Sequence, residues 1–201
     1  MKERKNDTAL LLIDSQKAFH DNIWGNRNNP TAERNAQALL EKFRENDWPI
    51  IHTQHLSNNP NSLLYRNGGA TEFMDGLVPQ ANEKIIVKHV NSAFIGTGLE
   101  GYLRENGITC LITAGLVTDH CVSTTVRMGG NLGFEMIVAE DATATFDHED
   151  IISGEIFTAD IIHRVHLSSL HGEFATVKST ADILHSISLN ERFLLPLVLI
   201  I

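Results

Sequence analysis

Only two cysteines, Cys110 and Cys121, occur among 201 residues. Two thiols do not make a disulfide framework, and their scarcity suits a reduced, cytoplasmic setting. Positive charge is also short: 16 Lys and Arg stand against 25 Asp and Glu, a net charge of −9. There is no Lys/Arg-rich run and no basic face with interleaved aromatics. Nucleic acid is therefore excluded as an expected partner, because phosphate binding needs that positive footprint. Long apolar runs are missing too. The N-terminal "MKERKNDTALLLID" has too short an apolar stretch for a signal peptide. The C-terminal "FLLPLVLII" is nine residues long, contains Pro196, and falls well short of a bilayer span. No membrane partner is expected. No repeat, low-complexity tract or inter-domain linker interrupts the chain.

What is present is enough apolar material, 42% of residues, for one well-buried domain over residues 1–201. The apolar tail, at about residues 190–201, is expected to pack on its own domain or on a neighbouring subunit. The run "TALLLI" (Thr8–Ile13) reads as a buried parallel strand. Asn29-Pro30 can open a helix, in which Ala36, Leu39, Leu40 and Phe43 line one face. "WPIIHTQ" and "KIIVKH" give a second and a third strand. "GLEGYLREN" reads as a helix stopped by Gly107, and "ITCLITAGL" as a fourth strand. A helix is expected from about His120 to Asn131, closed by Gly133. "FEMIVAE", a helix over Glu155–His171, "FATVKS" and a last helix from about Thr180 complete the pattern. The alternation predicts a three-layer α/β/α fold around a mostly parallel six-stranded sheet of Rossmann-like type. Two long loops, roughly Ser15–Asn29 and Leu56–Glu83, are candidate pocket walls.

Ligands of such sheets bind at the carboxyl ends of the strands. Asp14 follows the first strand, Lys88 ends the third, and Cys121 follows the fourth and opens a helix. A cysteine attacks as thiolate, which a helix N-terminus and a nearby ammonium both favour. Asp14 could take the thiol proton and deliver it to a leaving amine. The backbone N–H groups of Val117 and Cys121 could form an oxyanion hole. Taken singly, each residue also has a plain role: Cys121 as core packing, as expected for Cys110, Asp14 as a cap, and Lys88 as a surface charge.

Three segments, "LLLIDSQKAF", "VKHVNSAFIGTGLEGYLRENGI" and "LITAGLVTDHCVSTTVRMGGNLGF", resemble the motif blocks of the isochorismatase-like cysteine hydrolase superfamily, in order and in spacing. The resemblance runs from about Thr8 to Phe146 and more weakly to Val177. It implies an Asp–Lys–Cys triad of Asp14, Lys88 and Cys121, and a cis peptide at Leu116–Val117 that turns the Val117 N–H toward the oxyanion site. It implies hydrolysis of a carbon–nitrogen bond of a small amide-type substrate through a Cys121 thioester. With the apolar tail, it also implies a homo-oligomer.

The nicotinamidase branch of that superfamily adds a metal site just after the second strand. Here the chain reads "IIHTQHLSNN", and Gln54 or a neighbour stands where an Asp is expected. His52 and His55, three apart on a strand, point to opposite faces. No metal and no cofactor are expected. A metal-assisted nicotinamidase and a non-catalytic binding subunit on the same fold are the competing readings. His163 and His166 have a chelating i, i+3 spacing, with His171 beyond them, but read as a polar helix face. Thr118 and Asp119 read as helix caps, and His120 as a helix-start residue or a neighbour that tunes the thiol. Glu140 and Asp141 fit capping as well as substrate contact. Gln16, Phe19, Trp24, His55 and Tyr65 are the candidate substrate contacts, the aromatics forming a wall suited to a flat amide. Gly96-Thr97-Gly98 is too slight for a phosphate loop, and no Gly-rich turn follows the first strand, so a dinucleotide site is not expected.

Overall fold

A computed structural model describes residues 7–189, so the apolar tail lies outside the described residues. The main sheet has six strands: β1 (Thr8–Ile13), β2 (Ile50–His55), β3 (Lys84–Lys88), β4 (Cys110–Leu116), β5 (Glu135–Ala144) and β8 (Thr176–Lys178). Their order is β3-β2-β1-β4-β5-β8, and every pairing is parallel. β6 (His148–Glu149) and β7 (Ile156–Phe157) form a small antiparallel hairpin outside it. The helices are α1 (Ala32–Glu45), α2 (Leu99–Glu105), α3 (Ser123–Asn131), α4 (Ala159–Leu170) and α5 (Thr180–Ser188).

The strand pattern divides the core into two layers. On one face Leu10 and Leu12 of β1 and Ile112 of β4 pack with Ala36, Leu39, Leu40 and Phe43 of α1 and Ile183 and Ile187 of α5. On the other, Leu11 and Ile13 pack with Leu99 and Leu103 of α2, Val126 of α3, and Leu167 and Leu170 of α4. β1 has apolar residues on both faces because helices cover both, and every residue in it is buried. Burying a Leu or Ile side chain is worth about 1.5–3 kcal/mol, so these two layers fix the sheet that carries the strand ends. Gly115 is required where β4 passes β1: its φ is +124°, and a Cβ there would stand 2.0 Å from the Ile13 carbonyl oxygen.

Several boundaries differ from the sequence expectation. α1 begins at Ala32, not at Pro30. Asn29 has φ +43°, and its Nδ2 donates to the carbonyls of Glu140 and Thr143 at 3.0 and 2.7 Å, which holds this segment against β5. The helix expected from Glu155 begins at Ala159, because Ile156 and Phe157 pair with Glu149 and His148. β5 continues past Glu140 to Ala144 through an irregularity in its register with β4. Glu140 and Asp141 therefore lie inside β5. Asp141 Oδ1 accepts from the backbone N–H and the hydroxyl of Thr180 at the start of α5, at 2.7 and 2.6 Å.

Candidate active site

Four neighbouring strands, β3, β2, β1 and β4, deliver polar groups to the same edge. Asp14 is the residue after β1, and its φ of +48° turns the chain sharply out of the sheet. An Asp tolerates this left-handed conformation better than most residues. Thr53 of β2 fixes it twice: its hydroxyl accepts the Asp14 N–H at 3.0 Å and donates to Asp14 Oδ1 at 2.6 Å. The sequence reading missed Thr53, whose only sequence signal is a polar residue in the buried part of β2.

Lys88, the last residue of β3, has a side chain with no solvent exposure. Its Nζ lies 2.6 Å from Asp14 Oδ2, and donates to the Val90 carbonyl at 3.1 Å and to Cys121 Sγ at 3.3 Å. A buried ammonium and a buried carboxylate are tolerable only as such a pair. His55, in register with Lys88 across β2 and β3, places Nδ1 3.1 Å from Lys88 Nζ and 3.9 Å from both Cys121 Sγ and Asp14 Oδ2. Burial and the Lys88 charge lower the basicity of His55. A neutral imidazole then accepts the lysine's hydrogen bond.

Cys121 sits on a single π-helical turn, Thr118–Val122, between β4 and α3. Such turns are often found at functional positions. The Leu116–Val117 peptide before it is cis, and the Val117 carbonyl accepts from the N–H groups of His120 and Val122, both at 3.2 Å. Here the structure corrects the electrostatic expectation. Burial, and next the Asp14 carboxylate, push the Cys121 thiol far above its ordinary range, against the opposing pull of Lys88. The thiol rests protonated rather than as a free thiolate. Cys110, in contrast, is a buried strand residue, as expected.

Of the remaining candidates, Gln16 joins the cluster by way of His55. Its Nε2 donates to the carbonyls of His55 and Thr71 at 3.1 and 2.9 Å, and its Oε1 accepts the His55 N–H at 2.8 Å. Gln54 Nε2 also donates to the Thr71 carbonyl, at 3.0 Å. Phe19 and Trp24 form an aromatic group with Phe146, at centroid separations of 5.3 and 5.6 Å, and the Trp24 Nε1 donates to the Ala18 carbonyl. Tyr65 lies in the loop after β2, with its hydroxyl near Asn67. Among the described residues no hydrogen bond or ring contact links Phe19, Trp24 or Tyr65 to Cys121. His52 points away from His55, as its strand position requires, and shares the buried Glu83 with Arg44. A cavity of about 250 Å³ bordered by Arg44, Trp48, Glu83 and Tyr102 adjoins Ile50, the first residue of β2, at the opposite edge from Cys121.

Thr118 and Asp119 do not cap the helix; Val117 is the N-terminal boundary, and no side chain caps it. Both side chains instead reach other elements. The Thr118 hydroxyl is 2.8 Å from His163 Nδ1 on α4. Asp119 Oδ1 accepts from the Thr145 hydroxyl, and Oδ2 lies 2.9 Å from His148 Nε2 and 3.4 Å from His120 Nε2. His171 Nδ1 accepts the Val177 N–H at 3.1 Å and stays outside this group.

A family model described as the isochorismatase domain matches residues 8–182. The chain belongs to the isochorismatase family. It is 44% identical over 185 residues to the isochorismatase family protein YrdC of Bacillus subtilis, covering 92% of this chain and 97% of YrdC. It is 38% identical to the ureidoacrylate amidohydrolase RutB of an Enterobacter species, covering 68% of this chain and 74% of RutB. The crystal structure of a putative isochorismatase-family hydrolase from Chromobacterium violaceum superposes with a TM-score of 0.87 at 43% identity, covering 91% of this chain and 95% of that one. The chain is thus an isochorismatase-family hydrolase with that family's three-layer α/β fold. No helix among the described residues is long and apolar enough to cross a membrane.

Proposed function

We propose that the chain is a cysteine amidohydrolase that cleaves a carbon–nitrogen bond of a small molecule, with Cys121 as nucleophile, Asp14 as proton shuttle and Lys88 as the charge-holding group. One observation carries this reading: a single buried ammonium, Lys88, touches both the Asp14 carboxylate at 2.6 Å and the Cys121 sulfur at 3.3 Å. The likeness to a ureidoacrylate amidohydrolase supports the bond type.

The resting site is electrically balanced: Lys88 offsets Asp14, and the thiol and His55 are neutral. A neutral carbonyl compound enters without the cost of burying net charge. Sγ attacks the carbonyl carbon as the thiol proton passes to Asp14. Proton transfer and attack are coupled because burial keeps the thiol from ionising first. The carbonyl oxygen becomes an oxyanion, held by the N–H groups of Val117 and Cys121. Asp14 then gives its proton to the departing nitrogen, the carbon–nitrogen bond breaks, and a Cys121 thioester remains. Asp14 deprotonates a water molecule, whose oxygen attacks the thioester; the carbon–sulfur bond breaks, the acid leaves, and Asp14 returns the proton to sulfur. Lys88 keeps its ion pair with Asp14 and its hydrogen bond to Sγ as charge moves between them. Gln16 sets the position of His55 at the rim.

The test is ammonia release from a panel of ureido acids, carbamoyl compounds and aromatic amides, with intact-mass detection of a covalent adduct. Turnover with a transient adduct on Cys121, both lost in Cys121→Ala, is the expected result. An adduct elsewhere, or turnover that survives Cys121→Ala, would overturn the proposal.

A further inference from the structure

A second group of potential ligands lies on the same turn but has no part in the chemistry above. Asp119 and His120 precede Cys121, and His148 comes from β6. One ligand atom from each of the three lies within 4.8 Å of the other two. Asp119 Oδ2 is 3.4 Å from His120 Nε2 and 2.9 Å from His148 Nε2. In a tetrahedral zinc site with bonds of about 2.0–2.1 Å, neighbouring ligand atoms stand about 3.3 Å apart. The first separation already has that value, and the second reaches it by a shift of a few tenths of an ångström in a half-exposed ring.

Two further observations point to a cation. The Asp119 carboxylate is only 5% exposed, yet among the described residues its ion-pair partners are the two imidazoles, with no lysine or arginine. A buried carboxylate without a permanent cation is an expensive arrangement. In addition, His166 on α4, the helix packed against the Thr118–Val122 turn, has a buried Nδ1 with no hydrogen-bond partner. The His120 and His148 side chains are 54% and 43% exposed, which leaves the open coordination positions facing solvent.

We propose that Asp119, His120 and His148 form a binding site for one divalent transition-metal ion, separate from the Cys121 centre. Two imidazoles and one carboxylate select zinc, nickel, cobalt or copper over magnesium and calcium, which require mostly oxygen ligands. Bound there, the ion ties His148 of β6 to the turn that carries Cys121. The site stands whether or not Cys121 is a nucleophile.

The test uses chelator-treated Cys121→Ser protein, so that the thiol, with Asp14 and His55, offers no rival site. Zinc chloride is titrated by calorimetry, and cobalt chloride is followed by absorption on the wild type. The expected result is one zinc per chain, with affinity reduced by about tenfold or more in His120→Ala and in His148→Ala, and a cobalt spectrum free of a thiolate charge-transfer band. Both substitutions fall on half-exposed rings, so the fold survives them; Asp119→Asn gives a third comparison. Absence of zinc binding by Cys121→Ser, a smaller loss in either histidine variant, or a cobalt spectrum with the thiolate band would overturn the site.

Discussion

Lys88 Nζ stands 2.6 Å from Asp14 Oδ2, and neither side chain has any contact with solvent. Each charge is tolerable there only because of the other. Lys88→Met leaves the carboxylate alone in the interior, and loss of one partner of a buried pair costs about 3–5 kcal/mol. The double variant Asp14→Asn/Lys88→Met removes both charges and is expected to lose less than Lys88→Met alone. Urea unfolding of the wild type, Asp14→Asn, Lys88→Met and the double variant measures the coupling. Independent, additive losses would show that the pair does not act as a unit.

Alkylation separates thiol acidity from turnover. Asp14 pushes the Cys121 thiol up and Lys88 pulls it down. At a fixed neutral pH, Asp14→Asn is therefore expected to react faster with iodoacetamide than the wild type, while hydrolysing nothing. Lys88→Met reacts more slowly. Mass spectrometry with Cys110 as internal reference gives the rates. A wild-type rate already at its plateau below about pH 8.5 would mean that Cys121 rests as thiolate.

The same thiol affects stability at alkaline pH. Its folded value is raised, so its protonated form is the one favoured by folding. Below the unfolded value of about 8.5, both states hold the proton and stability is unaffected. Above it, the unfolded chain binds fewer protons than the folded one. Unfolding free energy then falls by about 1.4 kcal/mol per pH unit from this group. The decline is expected in the wild type and missing from Cys121→Ser; equal slopes in urea titrations between neutral and alkaline pH would contradict the assignment.

Thr53 is a positioning residue for Asp14. Thr53→Val keeps the shape of the side chain but removes both hydrogen bonds, at 3.0 and 2.6 Å. The expected cost is about 1–3 kcal/mol of stability, because a buried N–H and a carboxylate oxygen lose their partner. Turnover should fall mainly through kcat, with KM little changed, and Thr53→Ser should restore it. A KM effect alone would place Thr53 in substrate contact.

How far the sequence alone reaches depends on how local each signal is. The run Thr8–Ile13 and the spacing of Ala36, Leu39, Leu40 and Phe43 are local, and they identify β1 and α1. Asp14, Lys88 and Cys121 could be nominated because strand ends in a parallel sheet converge on one edge. The partners of those residues were not legible. Thr53 meets Asp14 across two strands, and Gln16 meets His55 across 39 positions in the chain. Asp119 looked like a cap because its neighbours fit one; its actual partners, Thr145 and His148, lie 26 and 29 positions away. The sign of the thiol's shift also escaped, since burial outweighs a nearby ammonium.

The double tie made by Gln16 has a further consequence. Gln16 and Gln54 both hold the Thr71 carbonyl, so the long insertion between β2 and β3 is anchored near its middle. Its first half is tied to the site at both ends as well: the Leu56 N–H donates to the Lys88 carbonyl at 2.9 Å, and the Ala70 carbonyl accepts from the Ala18 N–H at 2.9 Å. The insertion and the strand ends are thus one mechanical unit, and a change in either constrains the other.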